Sequence, residues 1–122
     1  MPRTKVIIYC EENDQAPLLA WLDALPAKVQ VKCAVKIERL KELGHELWRP
    51  AADYLRDGIY ELRASYQSVN YRILYFFHGK IAAVLSHGLT KEGVVPPGEI
   101  ERALERKRKF ESDPKSHTLE EK

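Results

Sequence analysis

The chain has 122 residues, of which 44% are hydrophobic and 31% charged, the balance of one soluble domain with a single core. Its net charge of only +2, from 20 basic and 18 acidic residues, excludes a long unselective polyanion footprint but leaves room for a local basic patch. No apolar run approaches the roughly 18 residues of a membrane span, and MPRTKVIIYCEEN is too short in its apolar part and too soon acidic for a leader peptide. Cys10 and Cys33 form no CxxC and have no histidine at zinc spacing, so two buried thiols in a cytoplasmic protein are expected rather than a zinc site.

Lys5–Tyr9 (KVIIY) is β-branched and aromatic and predicts a first strand. Asn13 or Asp14 can cap the short helix APLLAWLDAL, with Pro17 in its first turn and Pro26 ending it. A second helix runs from Ala27 to Gly44. Val29, Cys33, Ile37 and Leu40 recur on one face, while Lys32, Lys36, Arg39 and Glu42 take the rest. A solvated surface is the plainer reading of that basic face, a nucleic-acid patch the sharper one. His45–Asp57 has no clear period and is read as a loop anchored by Trp48. Three strands follow at about Ile59–Ser65, Val69–Phe77 and Ile81–Gly88. Pro96, Pro97 and Gly98 mark a turn, Glu99 to about Phe110 a charge-dense helix, and residues 112–122 a polar, disordered tail after a single domain of residues 1–111. The order is β-α-α-β-β-β-α.

Cations set into the strands raise the functional question. With a two-residue loop at Gln67–Ser68, Arg63 and Arg72 face each other across the first hairpin. With His78–Gly79 as the second turn, Arg72 pairs with Leu85 and His87 with Asn70. His87 then shares the arginine face, while Tyr60, Leu62, Tyr71, Ile73, Tyr75, Ala82 and Val84 share the other. Opposed arginines need an anion between them. Glu61, two residues from Arg63, would make this an ion-paired face; a bound phosphate would make it a site.

The runs GIYELR at Gly58–Arg63, NYRILYF at Asn70–Phe76 and SHGLTK at Ser86–Lys91, with EIERA at Glu99–Ala103 and LxxLG at Leu40–Gly44, resemble the phage-derived HigB/RelE-type toxins over roughly residues 4 to 111. The resemblance implies the RelE/ParE-like α+β fold: a small antiparallel-rich sheet, an N-terminal helical hairpin and a C-terminal helix. It implies the toxin of a type II toxin–antitoxin pair, silenced by a small helix-turn-helix antitoxin. It further implies a metal-independent endoribonuclease that cleaves messenger RNA on the ribosome by 2′-hydroxyl attack. The alternative on the same fold is a non-enzymatic toxin or binding module, aimed at a gyrase-type target or surviving as an inert phage remnant. By the same resemblance Arg72 stabilises charge at the scissile phosphate, Arg63 and Lys91 hold RNA phosphate, and His87 is the acid–base candidate. Two departures bear on activity: Glu92 stands where the family often has a second lysine, and no tyrosine follows Lys91.

Overall fold

The computed structural model describes residues 4–80, 82–90 and 93–119. Lys91, Glu92 and Ile81 lie outside the described residues. Five strands, β1 (Lys5–Ile8), β2 (Ala52–Arg56), β3 (Ile59–Tyr66), β4 (Val69–His78) and β5 (Ala82–Thr90), form one mixed sheet in the order β1-β5-β4-β3-β2, with β1 parallel to β5 and the other pairs antiparallel. The helices α1 (Pro17–Asp23) and α2 (Ala27–Leu43) cover one face, and α3 (Pro97–Ser112) covers much of the other. The α+β class, the hairpin of helices and the C-terminal helix are those expected. Among the described residues no helix is long and apolar enough to cross a membrane.

The α2 stripe packs as its spacing requires. Val29, Cys33 and Leu40 are buried against Leu62, Ile73, Tyr75 and Leu85 of the sheet. The helix stops at Gly44, whose φ is +53° and whose Cβ, were there one, would collide with Thr4 Oγ1, so both the backbone and the space call for glycine. The indole of Trp21 lies directly on Gly88 and leaves no room for a side chain there. Cys10 and Cys33 are both buried free thiols, and burial raises the pKa of each.

The segment read as a loop holds a strand. β2 (Ala52–Arg56) pairs with β3 (Ile59–Tyr66), so the observed order is β-α-α-β-β-β-β-α, with a short 3-10 turn at Gly44–Glu46. Its signal was Asp57–Gly58: both residues have positive φ, at 53° and 84°, and Arg56 pairs with Ile59 across that two-residue turn. Trp48 does not anchor the segment; it is half exposed, and Leu47 is buried in its place.

The β3–β4 hairpin has the expected two-residue loop. Gln67 and Ser68 both take positive φ, and Arg63 stands directly opposite Arg72 in β4 (Val69–His78). The β4–β5 register differs from the expected one in two places. The turn is longer, so His78 pairs with Ala82 and Tyr75 with Leu85. Ser86 then bulges, so that Leu74 pairs with His87 and Arg72 with Leu89. The longer turn moves Ala82 and Val84 onto the arginine face, and the bulge returns His87 to it. The tail also departs from expectation. Pro114–His117 forms a 3-10 turn, His117 is buried and stacked on Tyr9, and the amide of Leu119 donates to the Ile8 carbonyl at 3.0 Å.

Candidate functional site

Arg63, Arg72 and His87 lie on the sheet face that α3 covers, though α3 packs on its other end, over Ile59, Phe76 and Val84. The arginines are not bare. Glu61, 1% exposed, accepts from Arg63 Nε at 2.6 Å through one oxygen and holds Arg72 Nη1 at 3.6 Å with the other. Asp53, delivered by the unforeseen strand β2, takes Arg63 Nη2 at 3.2 Å and Arg49 Nε at 3.1 Å. Burial alone would raise the Asp53 pKa, but Arg49, the Tyr54 amide and Arg63 hold it below the usual carboxylate range.

Among the described residues the electrostatic sum of this cluster is positive: three guanidinium groups, Arg49, Arg63 and Arg72, share two carboxylates. Arg72 is the underpaired member. Its side chain is only 11% exposed, its nearest carboxylate stands beyond hydrogen-bond length, and its buried Nε has no partner among the described residues. A buried guanidinium N–H without an acceptor is costly, and Nε itself is closed to solvent. Both readings of the opposed arginines therefore hold at once: Glu61 pairs them, and a residual positive charge remains.

His87 is a diagonal neighbour of Arg72, two pairs along the strands on the same face, but its ring is engaged with α3. Nε2 meets Glu99 Oε1 at 3.0 Å, and Nδ1 meets Arg106 Nη1 at 2.9 Å and Ser86 Oγ at 2.8 Å. Arginine only donates, so the network assigns the lone pair to Nδ1 and the proton to Nε2, which donates to Glu99. Burial, then the Arg106 charge, pulls the His87 pKa down to about 4 against the opposing pull of Glu99. Ser86 beside it is fully buried, so this Ser-His-Glu array presents no nucleophile to solvent. Beyond His87, the α3 network continues through Arg106 and Lys109 to Glu11, 3.6 and 3.1 Å away, and Tyr9 donates to the same carboxylate at 2.9 Å. Burial pushes Glu11 up, but these donors hold its pKa below the ordinary value.

Of the four residues expected at the site, Arg63 and Arg72 come together, His87 shares their face but turns to α3, and Lys91 lies outside the described residues. Asp53 and Arg49 were missed because their strand was missed. On the other side of β3 a groove of about 670 Å³ opens between α2 and the strand's free end, with Arg63, Lys32 and Lys36 among its walls.

A family model described as "Phage derived protein Gp49-like" matches residues 20–108. The chain belongs to the phage-derived Gp49-like family. This is a RelE/ParE-like toxin family, and membership is consistent with the toxin of a toxin–antitoxin pair and suggests an antitoxin as partner for this Gp49-like protein. No curated protein matches the chain.

Proposed function

We propose that this Gp49-like chain is a HigB-like toxin that acts on messenger RNA, gripping phosphate with Arg63 and Arg72. The observation that carries the reading is the cross-strand arginine pair with its surplus of positive charge and the partnerless Nε of Arg72. In the reaction the RNA's 2′-oxygen forms a bond to the adjacent phosphorus while the bond to the 5′-oxygen breaks. The products are a 2′,3′-cyclic phosphate and a 5′-hydroxyl. One proton leaves the 2′-hydroxyl and one reaches the departing oxygen, and no metal ion is required. Arg72 neutralises the charge that gathers on the crowded phosphate; donors of this kind are worth about 10²–10³ in rate. Arg63, half exposed, holds the phosphate in the ground state, and Lys91 makes a second phosphate contact. His87 serves as acid or base only when Glu99, in the first turn of α3, releases its Nε2. The ribosome and its message are the partners in this reading, and the cytoplasm is the place of action.

A second reading, a toxin that acts by binding alone, is favoured by two observations: Glu61 already lies between the two arginines, and His87 is buried. Induced expression with transcript-end mapping separates the two. New ends inside translated messages, lost in Arg72→Ala, support cleavage. Growth arrest without new ends, retained in Arg72→Ala, supports binding alone.

A further inference from the structure

The groove beside β3 combines three features, and Arg63 is the one residue among them that it shares with the phosphate site. First, α2 carries a second apolar stripe. Val31 and Val35, one turn apart, are 62% and 53% exposed, on a helix whose core face is already filled by Val29, Cys33 and Leu40. Second, Lys32 and Lys36 run parallel to that stripe and Arg63 faces them across the groove, so among the described residues its walls carry cations and no acid. The Lys32 ammonium lies 5.8 Å from the centre of the Tyr66 ring, which orients it along the groove.

Third, the floor is an open strand edge. The Arg63 amide donates to the Ala51 carbonyl at 2.7 Å, so this residue turns its backbone away from β4 and toward β2. Ser65, two residues on, turns its N–H and C=O to the same side. The β2 pairing has ended by then, at Ala52 with Leu62, and Pro50, which has no N–H, lines the groove beyond it. Among the described residues nothing outside the hairpin bonds the Ser65 backbone. Unpaired edges of this kind take up an added strand.

We propose that the groove between α2 and the free end of β3 binds an acidic, extended segment of a partner protein by strand addition at Ser65. Alternate apolar side chains of the segment pack on Val31, Val35 and Pro50, and its carboxylates meet Lys32, Lys36 and Arg63. A polypeptide fits better than RNA, because the apolar wall is aliphatic and offers no stacking surface, while the edge offers a peptide donor and acceptor. Arg63 belongs to both the groove and the phosphate site, so a carboxylate that engages it here weakens its hold on phosphate without covering the sheet face. The groove proposal stands independently of whether the chain cuts RNA.

The test uses the full chain and a fluorescein-labelled alternating peptide, (Glu-Val)4, with (Lys-Val)4 and a single-stranded oligouridylate as comparators. Saturable, salt-sensitive binding of the acidic peptide alone is expected, with slowed hydrogen exchange at the Ser65 amide. Lys32→Glu with Lys36→Glu lowers the affinity about tenfold or more, and Ser65→Pro, which removes only an outward-facing donor at an edge position, abolishes binding. The amide exchange is read on the unaltered chain, so the result does not depend on either variant folding. No binding of the acidic peptide, binding without protection of Ser65, or stronger binding of oligouridylate through the two lysines would overturn the proposal. Transcript cleavage plays no part in this readout, so it can fail while the nuclease reading holds, and the reverse.

Discussion

Replacing Glu61 by glutamine keeps the shape of the buried side chain and removes the charge that two arginines share. Arg63 is 39% exposed and keeps Asp53, so its own loss is small. Arg72 is 11% exposed and is left with no counter-charge among the described residues, directly opposite another arginine. Breaking a buried pair costs about 3–5 kcal/mol, and the exposure of Arg63 puts this case at the lower end, about 3 kcal/mol. With about 2.1 cal/mol/K of unfolding entropy per residue over 122 residues, each kcal/mol moves the melting temperature by about 4 °C, so a fall of about 12 °C is expected. If the arginines form an anion site, phosphate at about 100 times its Kd returns about 2.7 kcal/mol to the variant, and it returns less to the wild type, where Glu61 competes. The assay is thermal unfolding of both proteins in chloride and in phosphate at matched ionic strength. A melting temperature within about 2 °C of wild type would refute the pairing. A large fall that phosphate does not relieve in the variant more than in the wild type would refute the anion site.

Three further substitutions follow from single contacts. The folded-state pKa of His87 is about 4 against an ordinary value of 6.5, so between these the unfolded chain binds a proton that the folded chain refuses. Stability therefore falls as pH drops through that window, by about 3 kcal/mol in all, and urea unfolding should find this share missing in His87→Gln; parallel pH profiles would contradict it. Tyr75 Oη is buried with no partner among the described residues, so Tyr75→Phe is expected to stabilise by about 1 kcal/mol in the same assay. Ser68 sits at φ 67° in the two-residue turn, and Ser68→Gly should raise the melting temperature by relieving about 1 kcal/mol of backbone strain.

Local chemistry made most of the fold legible, and long-range register was the part that periodicity could not reach. The α2 stripe and the Gln67–Ser68 loop are local signals, and they place Val29, Cys33 and the Arg63–Arg72 pair correctly. The face of His87 came out right because two departures from the expected register offset each other: a longer turn after His78 and the bulge at Ser86. A bulge leaves no mark in a pattern of alternating residues, since it is set by what the strand must present to α3. Asp57–Gly58 was readable as a hairpin turn, but ADYLR before it carries too little β-branched character to announce a strand. The acid–base expectation for His87 rested on its free pKa. The residues that shift it, Glu99 and Arg106, come from a helix whose contacts spacing alone does not specify. The docked tail is likewise a tertiary outcome, held by His117 Nδ1 on the Cys10 carbonyl at 2.8 Å and by the ring of Tyr9.

The most direct test of the central claim, that Arg72 completes a phosphate site which acts on messenger RNA, is transcript-end mapping after induced expression of the wild type and Arg72→Ala. Growth arrest with new ends inside translated messages is expected for the wild type, and loss of both in the variant, whose fold is checked by thermal unfolding. Growth arrest of equal strength in both, with no new transcript ends in either, would contradict it.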